Sequence, residues 1–476
     1  MRSPPASSGS GRIPSPPAHP KARAGAPASF PPSPGSRPSW SSARAVPVLP
    51  KAPLSYRFSF VKARFPDLPS NGRPGQSAVL PASSIAQKIP RCNPFFSVLY
   101  YGKTIGPGIR KGGHMPKERR TELSAASVAL MLLVVFIHSA AECVNGYDPM
   151  TFAYAAAGSL HRLASFAVQG FLFLAGLKLT LRRPSVFSTG RYLRGRLSRI
   201  GLPYLVAFAA FLAVYLLTGR LNDPSPVRIL AEFFTGGLTG HFYFVAVMAQ
   251  FCLLVPLWNL LDRRTHPALT LFVSLILTLV FMDHMPELVR LATGFRVELT
   301  RNAALFTSYL FYWIAGMTAG ANYDGFRGFL RARRTSLTVL WILSAVGDIA
   351  LFLAIKRGIY YALWADDFHL MTCTLAILAL LSHAAALSDS DAPVLRSALF
   401  ADTDRASYLV YLWHPMTILL IDSLLNRLGI GSRALRCLIR FPAALLLTLA
   451  ISILWQKLYA SVRSRLTNRD PAKGEP

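Results

Sequence analysis

The feature that most limits what this chain can fold into is a series of ten apolar stretches, each close to twenty residues long, between Leu123 and Tyr459. They fall near 124–143, 163–181, 200–218, 241–261, 267–283, 303–321, 335–355, 368–388, 406–425 and 438–459. A helix of about 20 apolar residues spans the ~30 Å hydrocarbon core of a bilayer, and the stretches lack the period-two alternation of half-buried strands. The expectation is an all-α polytopic membrane protein: a bundle of about ten transmembrane helices in a domain over residues 115–465, with the lipid bilayer as its first partner.

Charge is sparse in those stretches and collects elsewhere. The formal net charge is +29, but residues 1–114 hold 16 Lys and Arg against one acidic residue, Asp67, and 21 of the 35 prolines. Such a Pro/Ser/Arg-rich tail cannot bury enough apolar surface to fold and is expected to be disordered. Lys111-Gly112-Gly113, separated from Met115 by His114 alone, also matches, at codon level, a bacterial ribosome-binding sequence, so Met115 is an expected alternative start. The remaining positive charge lies in short segments between apolar stretches. There it orients helices and meets anionic lipid or phosphate, so no nucleic-acid partner is expected.

An even number of spans puts both ends of the domain on one side. The segment 182–199 carries Arg182, Arg183, Arg191, Arg194, Arg196 and Arg199, and Arg327, Arg331, Arg333 and Arg334 crowd another connection on that face. By the positive-inside rule both termini, including a short tail over 466–476, are expected in the cytoplasm, with the bundle in the inner (plasma) membrane. The five cysteines, Cys92, Cys143, Cys252, Cys373 and Cys437, show no CxxC or metal-ligand spacing, and neither a disulfide scaffold nor a metal site is expected.

Ionisable groups inside a bilayer are costly and by default face a cavity or each other. His138, Asp348, His383, His414 and Asp422 lie in or near the ends of apolar stretches. His138 is the most informative. Eleven residues of helix separate it from Ser127 on nearly the same face, about 16 Å away, with Ser124 and Met131 filling out the stripe. A neutral imidazole suits a base for a hydroxyl acceptor, although a hydrogen bond to a neighbouring helix would account for the same residue. His414 shares a face with Ser407 and Tyr411 and suits either a substrate channel or a network joining helices. His241 stands beside Phe242, Tyr243 and Phe244 and looks like part of an interfacial aromatic belt. Asp348 is expected to find a partner or to be protonated.

Five segments then add a resemblance. LMLLVVFIH at 130–138, SFAVQGFLFLAGLKL at 165–179, RYLRGRLSRIGLPYL at 191–205, GHFYFVAVMAQFCLLVPLW at 240–258 and SYLVYLWHP at 407–415 are similar, in order and spacing, to the acyltransferase-3 family of membrane O-acyltransferases. The resemblance covers about 120–460 and implies a ten-helix domain that moves acyl groups, often acetyl, from acyl-coenzyme A to a saccharide or other cell-envelope acceptor. It implies that His138 is catalytic and that no bound cofactor or metal is needed. Arg194, Arg196 and Arg199, just before a helix start, are the expected binding residues for the coenzyme's phosphates. Ser127, His414 and Tyr411 are the expected substrate-binding residues. Two departures stand out: Ala175-Gly176 replaces a usual Ser-Gly, and Ser127 occupies a position where many members carry arginine. A proton-coupled transporter or flippase, or a non-catalytic relative, is the competing class.

Overall fold

The computed structural model describes residues 120–181, 183, 187–221, 224–292, 304–362 and 364–467. The expected tail over 1–114, the alternative start at Met115 and nearly all of 466–476 lie outside them. The described residues form helices and no strand. In order these are α1 (Thr121–Gly146), α2 (Phe152–Ala164), α3 (Ala167–Leu181), α4 (Thr189–Arg196), a π turn (Leu197–Gly201), α5 (Leu202–Leu217) and α6 (Pro226–Thr235). There follow α7 (Tyr243–Leu253), α8 (Val255–Arg264), α9 (Pro267–Ala292), a 3-10 turn (Phe306–Tyr309), α10 (Leu310–Ala321) and α11 (Tyr323–Lys356). The chain closes with α12 (Ala365–Asp389), α13 (Pro393–Arg396), α14 (Ala398–Arg427) and α15 (Arg433–Thr467).

Among the described residues, eight helical segments are long and apolar enough to cross a membrane, and the bent pair α7–α8 makes a ninth. The tenth expected stretch is the 3-10 turn and twelve-residue α10, clasped against α3. That crossing is close because a Cβ at Gly176 would run into the carbonyl oxygen of Trp313, so the glycine in the 175–176 motif has a packing role. α1 is the hub of the bundle, touching α2, α3, α12, α14 and α15. It holds a hydrophobic core on one side through Leu123, Ala126, Leu130 and Val134, and a second on the other through Met131 and Val135.

Three features differ from the expectations. The arginines of 182–199 do not all lie in a loop: Ser188 caps α4 at the backbone N–H of Arg191, and α4 runs through the π turn into α5 because nothing in RYLRGRLSRI breaks a helix. Likewise Arg327, Arg331, Arg333 and Arg334 occupy the first turns of α11, whose 34 residues extend about 51 Å and so outrun the hydrocarbon core. The stretch 241–261 is not one straight span. It bends by 54° between α7 and α8, where Pro256 has no N–H to continue the ladder. Finally, Cys143 and Cys437 form a disulfide across 294 residues of sequence, joining the end of α1 to the start of α15. The spacing argument missed it because the tertiary contact between α1 and α15, not local spacing, brings the two cysteines together. Cys252 and Cys373 are free and buried.

Candidate functional site

His138 sits on α1 where two other imidazoles converge on it. Its ring centroid lies 5.0 Å from that of His414 on α14 and 6.1 Å from that of His241, and the latter two are 5.3 Å apart. His241 and His414 are 1% and 0% exposed, whereas His138 is only partly buried and receives no hydrogen bond from any described residue. The arrangement corrects the reading of His241 as part of an interfacial belt. Gly236, in the left-handed region at φ 67°, ends α6 and turns the chain inward, and Phe242 then wedges against Phe211 and Tyr204. His241 is thereby carried into the bundle.

The hydrogen bonds settle which nitrogens carry protons. Pro415 lies inside α14 and has no N–H for the carbonyl of Tyr411, four residues back. His414 Nδ1 takes that place, 2.8 Å from Tyr411 O and 3.2 Å from Val410 O. A carbonyl only accepts, so Nδ1 is the protonated nitrogen, and Nε2 is left as a buried lone pair without a partner. His241 Nε2 donates to Leu412 O at 3.1 Å, and its Nδ1 accepts from Thr239 Oγ1 at 3.4 Å. The Tyr411 hydroxyl donates to His241 O and ties the inward turn to α14. Tyr411 and His414 thus take part in the imidazole centre, Tyr411 through His241 and His414 directly. Ser407 does not, since its hydroxyl bonds to Thr403 O within its own helix.

Toward the start of α1, Ser127 is buried. Its hydroxyl donates to Leu123 O at 2.8 Å and accepts from Lys178 Nζ at 2.9 Å. Sequence reasoning singled out the missing arginine at position 127 and overlooked that a neighbouring helix delivers an ammonium group to the same place. The signal was present as a lone lysine within the apolar run of α3. Ser124, one turn earlier, donates to Asp404 at 2.7 Å. Met131 is fully buried in an apolar cluster, so the polar stripe expected along α1 is interrupted between Ser127 and His138.

Arg194 and Arg199 lie exposed on α4 and the π turn, and the Arg196 guanidinium covers the Tyr192 ring at 5.0 Å. None of the three contacts the histidines. The Tyr408 hydroxyl, bonded to Ile200 O at 2.9 Å, holds this segment against α14 about 9 Å along the axis from His414. Arg183 pairs with Asp262 at 2.5 Å, and its Nε and Nη2 are buried without partners.

Beyond His138 in the opposite direction, α1 carries Glu142 on the same face, one turn further. Arg440 bonds Glu142 at 2.7 Å and Asp422 at 2.5 Å, and Arg436 lies 3.6 Å and 3.5 Å from the same two carboxylates. This cluster was also missed, although a carboxylate four residues after the histidine was a readable signal. Among the described residues no group of three or more His, Cys, Asp or Glu is arranged to hold a metal ion.

Residues 128–455 match the acyltransferase-3 family model, described as an acyltransferase domain, over more than half of the chain. No curated protein and no solved structure matches it.

Proposed function

The chain belongs to the acyltransferase-3 family and is a multi-pass membrane acyltransferase, and from that premise we propose that it carries an acyl group, such as acetyl, from acyl-coenzyme A to a hydroxyl of a saccharide or other cell-envelope acceptor. The observation that carries this reading is the three-imidazole centre, in which His138 alone is only partly buried and His414 Nε2 has no hydrogen-bond partner.

In this reading the donor approaches from the side of α4. Arg194, Arg196 and Arg199 meet the coenzyme's phosphates, to which guanidinium groups are matched by paired hydrogen bonds. Lys178, held at Ser127, supplies a cation nearer the centre. The acceptor hydroxyl approaches from the side of Glu142 and Arg440, a set of carboxylates and guanidinium groups suited to the alternating donors and acceptors of a polyol. His138 takes the hydroxyl proton as the oxygen attacks the thioester carbonyl. The carbon–sulfur bond breaks, and the departing thiolate recovers the proton from His138. His414, which offers only a lone pair at Nε2, steadies the transient charge on the His138 ring. Tyr411 acts through the His241 turn rather than on substrate.

The disulfide supports the orientation. Such bonds persist in oxidising compartments, and Cys143 and Cys437 stand at the helix ends opposite the Arg-rich face. In this reading both termini lie in the cytoplasm of an inner membrane, and the acceptor side faces outside.

Purified protein in detergent, incubated with radiolabelled acetyl-coenzyme A and a panel of free and lipid-linked saccharides, tests the proposal. Label should pass to an acceptor with equal release of free coenzyme A. Donor consumption that no added acceptor stimulates would overturn it.

A further inference from the structure

Away from the imidazole centre, Asp348 on α11 is 2% exposed and bonded on two sides. Arg162 of α2 grips it with both arms, Nε to Oδ2 at 3.0 Å and Nη2 to Oδ1 at 2.9 Å. His369 of α12 donates Nδ1–H to Oδ2 at 2.8 Å. An ionised carboxylate only accepts, so His369 keeps its lone pair on Nε2, and that nitrogen lies 3.0 Å from the hydroxyl of Ser165. Serine, imidazole and carboxylate are therefore in hydrogen-bonded series, the arrangement that activates a hydroxyl as a nucleophile. We propose that Ser165, activated by His369 and Asp348, is a second reactive site that takes up an acyl group from an activated ester or thioester as a covalent ester on its own oxygen.

The surroundings fit that use. Ser165 sits where the backbone ladder is broken: its N–H reaches only Arg162 O, and α3 restarts at Ala167. The first N–H groups of a helix have no acceptor within it and suit a developing oxyanion. Gln169, one turn on and on the same face, has its side-chain carbonyl oxygen buried without a partner. Cys373 Sγ is 3.3 Å from the same His369 nitrogen but is 2% exposed, whereas Ser165 and His369 are only partly buried, so the serine is the accessible nucleophile. Arg162 alone would neutralise Asp348 and tie α2 to α11. The Ser165 hydroxyl can also donate to Arg162 O at 2.7 Å, a resting position from which rotation about the Cβ–Oγ bond turns its proton to His369 without moving the oxygen.

The reaction closes as follows. Ser165 Oγ attacks the acyl carbonyl and gives its proton to His369 Nε2. The bond to the leaving thiolate or alkoxide breaks, and that group takes the proton from His369. A second hydroxyl or a water, deprotonated by His369, then attacks the acyl–Ser165 ester and restores the serine.

A tagged alkyl fluorophosphonate, which phosphonylates an activated serine with loss of fluoride and needs no coenzyme A, tests this on the full chain in detergent. Label is expected on the peptide that contains Ser165. It should vanish in Ser165→Ala, fall about 100-fold in His369→Gln as a base is lost, and persist in Cys373→Ser and His138→Ala. Persistence in the His138 variant separates this site from the acyl transfer proposed above. Equal labelling of Ser165→Ala and wild type, both eluting as single folded species, or no labelling of wild type at any probe concentration, would overturn the proposal.

Discussion

The rings of His138 and His414 face each other with centroids 5.0 Å apart across the contact of α1 with α14, and the hydrogen bond that orients His414 exists because Pro415 cannot make one. A proline in a helix interior costs about 3 kcal/mol. Here its consequence is a fixed tautomer beside the open imidazole.

Pro415→Ala should therefore restore a backbone donor to Tyr411 O and release His414 Nδ1. Acyl transfer is expected to fall on the order of 100-fold, as for loss of a positioned acid–base partner. The thermal midpoint should stay level or rise. Parallel rate and melting measurements check both halves of the prediction, and a loss of rate together with a lower midpoint would count against it.

Lys178→Met removes the ammonium group at Ser127 while Ser127 keeps its bond to Leu123 O. A hydrogen bond to a charged group contributes ~1.5–3 kcal/mol. The KM for acyl-coenzyme A should accordingly rise about 10- to 100-fold with a smaller change in kcat, and Lys178→Arg should retain most of the affinity. Donor titrations of the two variants decide it.

The Cys143–Cys437 bond joins the hub helix to the last one. Reduction, or Cys143→Ser, should lower stability by about 2–4 kcal/mol. In intact cells a membrane-impermeant reductant followed by an impermeant maleimide should label both cysteines. Labelling only after the cells are opened would reverse the proposed orientation.

Arg440 is 7% exposed and lies between two carboxylates. Arg440→Leu should cost about 3 kcal/mol, because it removes the buried cation in closest contact with Glu142 and Asp422 and leaves them only the more distant Arg436. Glu142→Gln keeps the shape of the cluster and should mainly raise the KM for the acceptor. Denaturation curves and acceptor titrations separate the two effects.

Much of this was legible in the chain itself. Apolar runs of bilayer length mark the spans, and a histidine inside one of them, His138, stands out by the cost of placing it there. The need of Asp348 for a partner was equally plain, but Arg162 and His369 lie 186 and 21 residues away from it and are brought there by packing. His241 was misjudged because aromatic neighbours look alike at an interface and in a core. Its depth is set by the turn at Gly236 and the packing of Phe242 on Phe211 and Tyr204, which hydropathy does not record. Lys178 and Glu142 were visible as charges at helical spacing. Their partners on other helices were not.

If the His138 imidazole on α1 is the base, the single-turnover rate of acyl transfer at saturating donor should fall about 100- to 10,000-fold in both His138→Ala and His138→Gln, with each variant shown to elute and melt as wild type. A rate equal to that of wild type in either folded variant would contradict it.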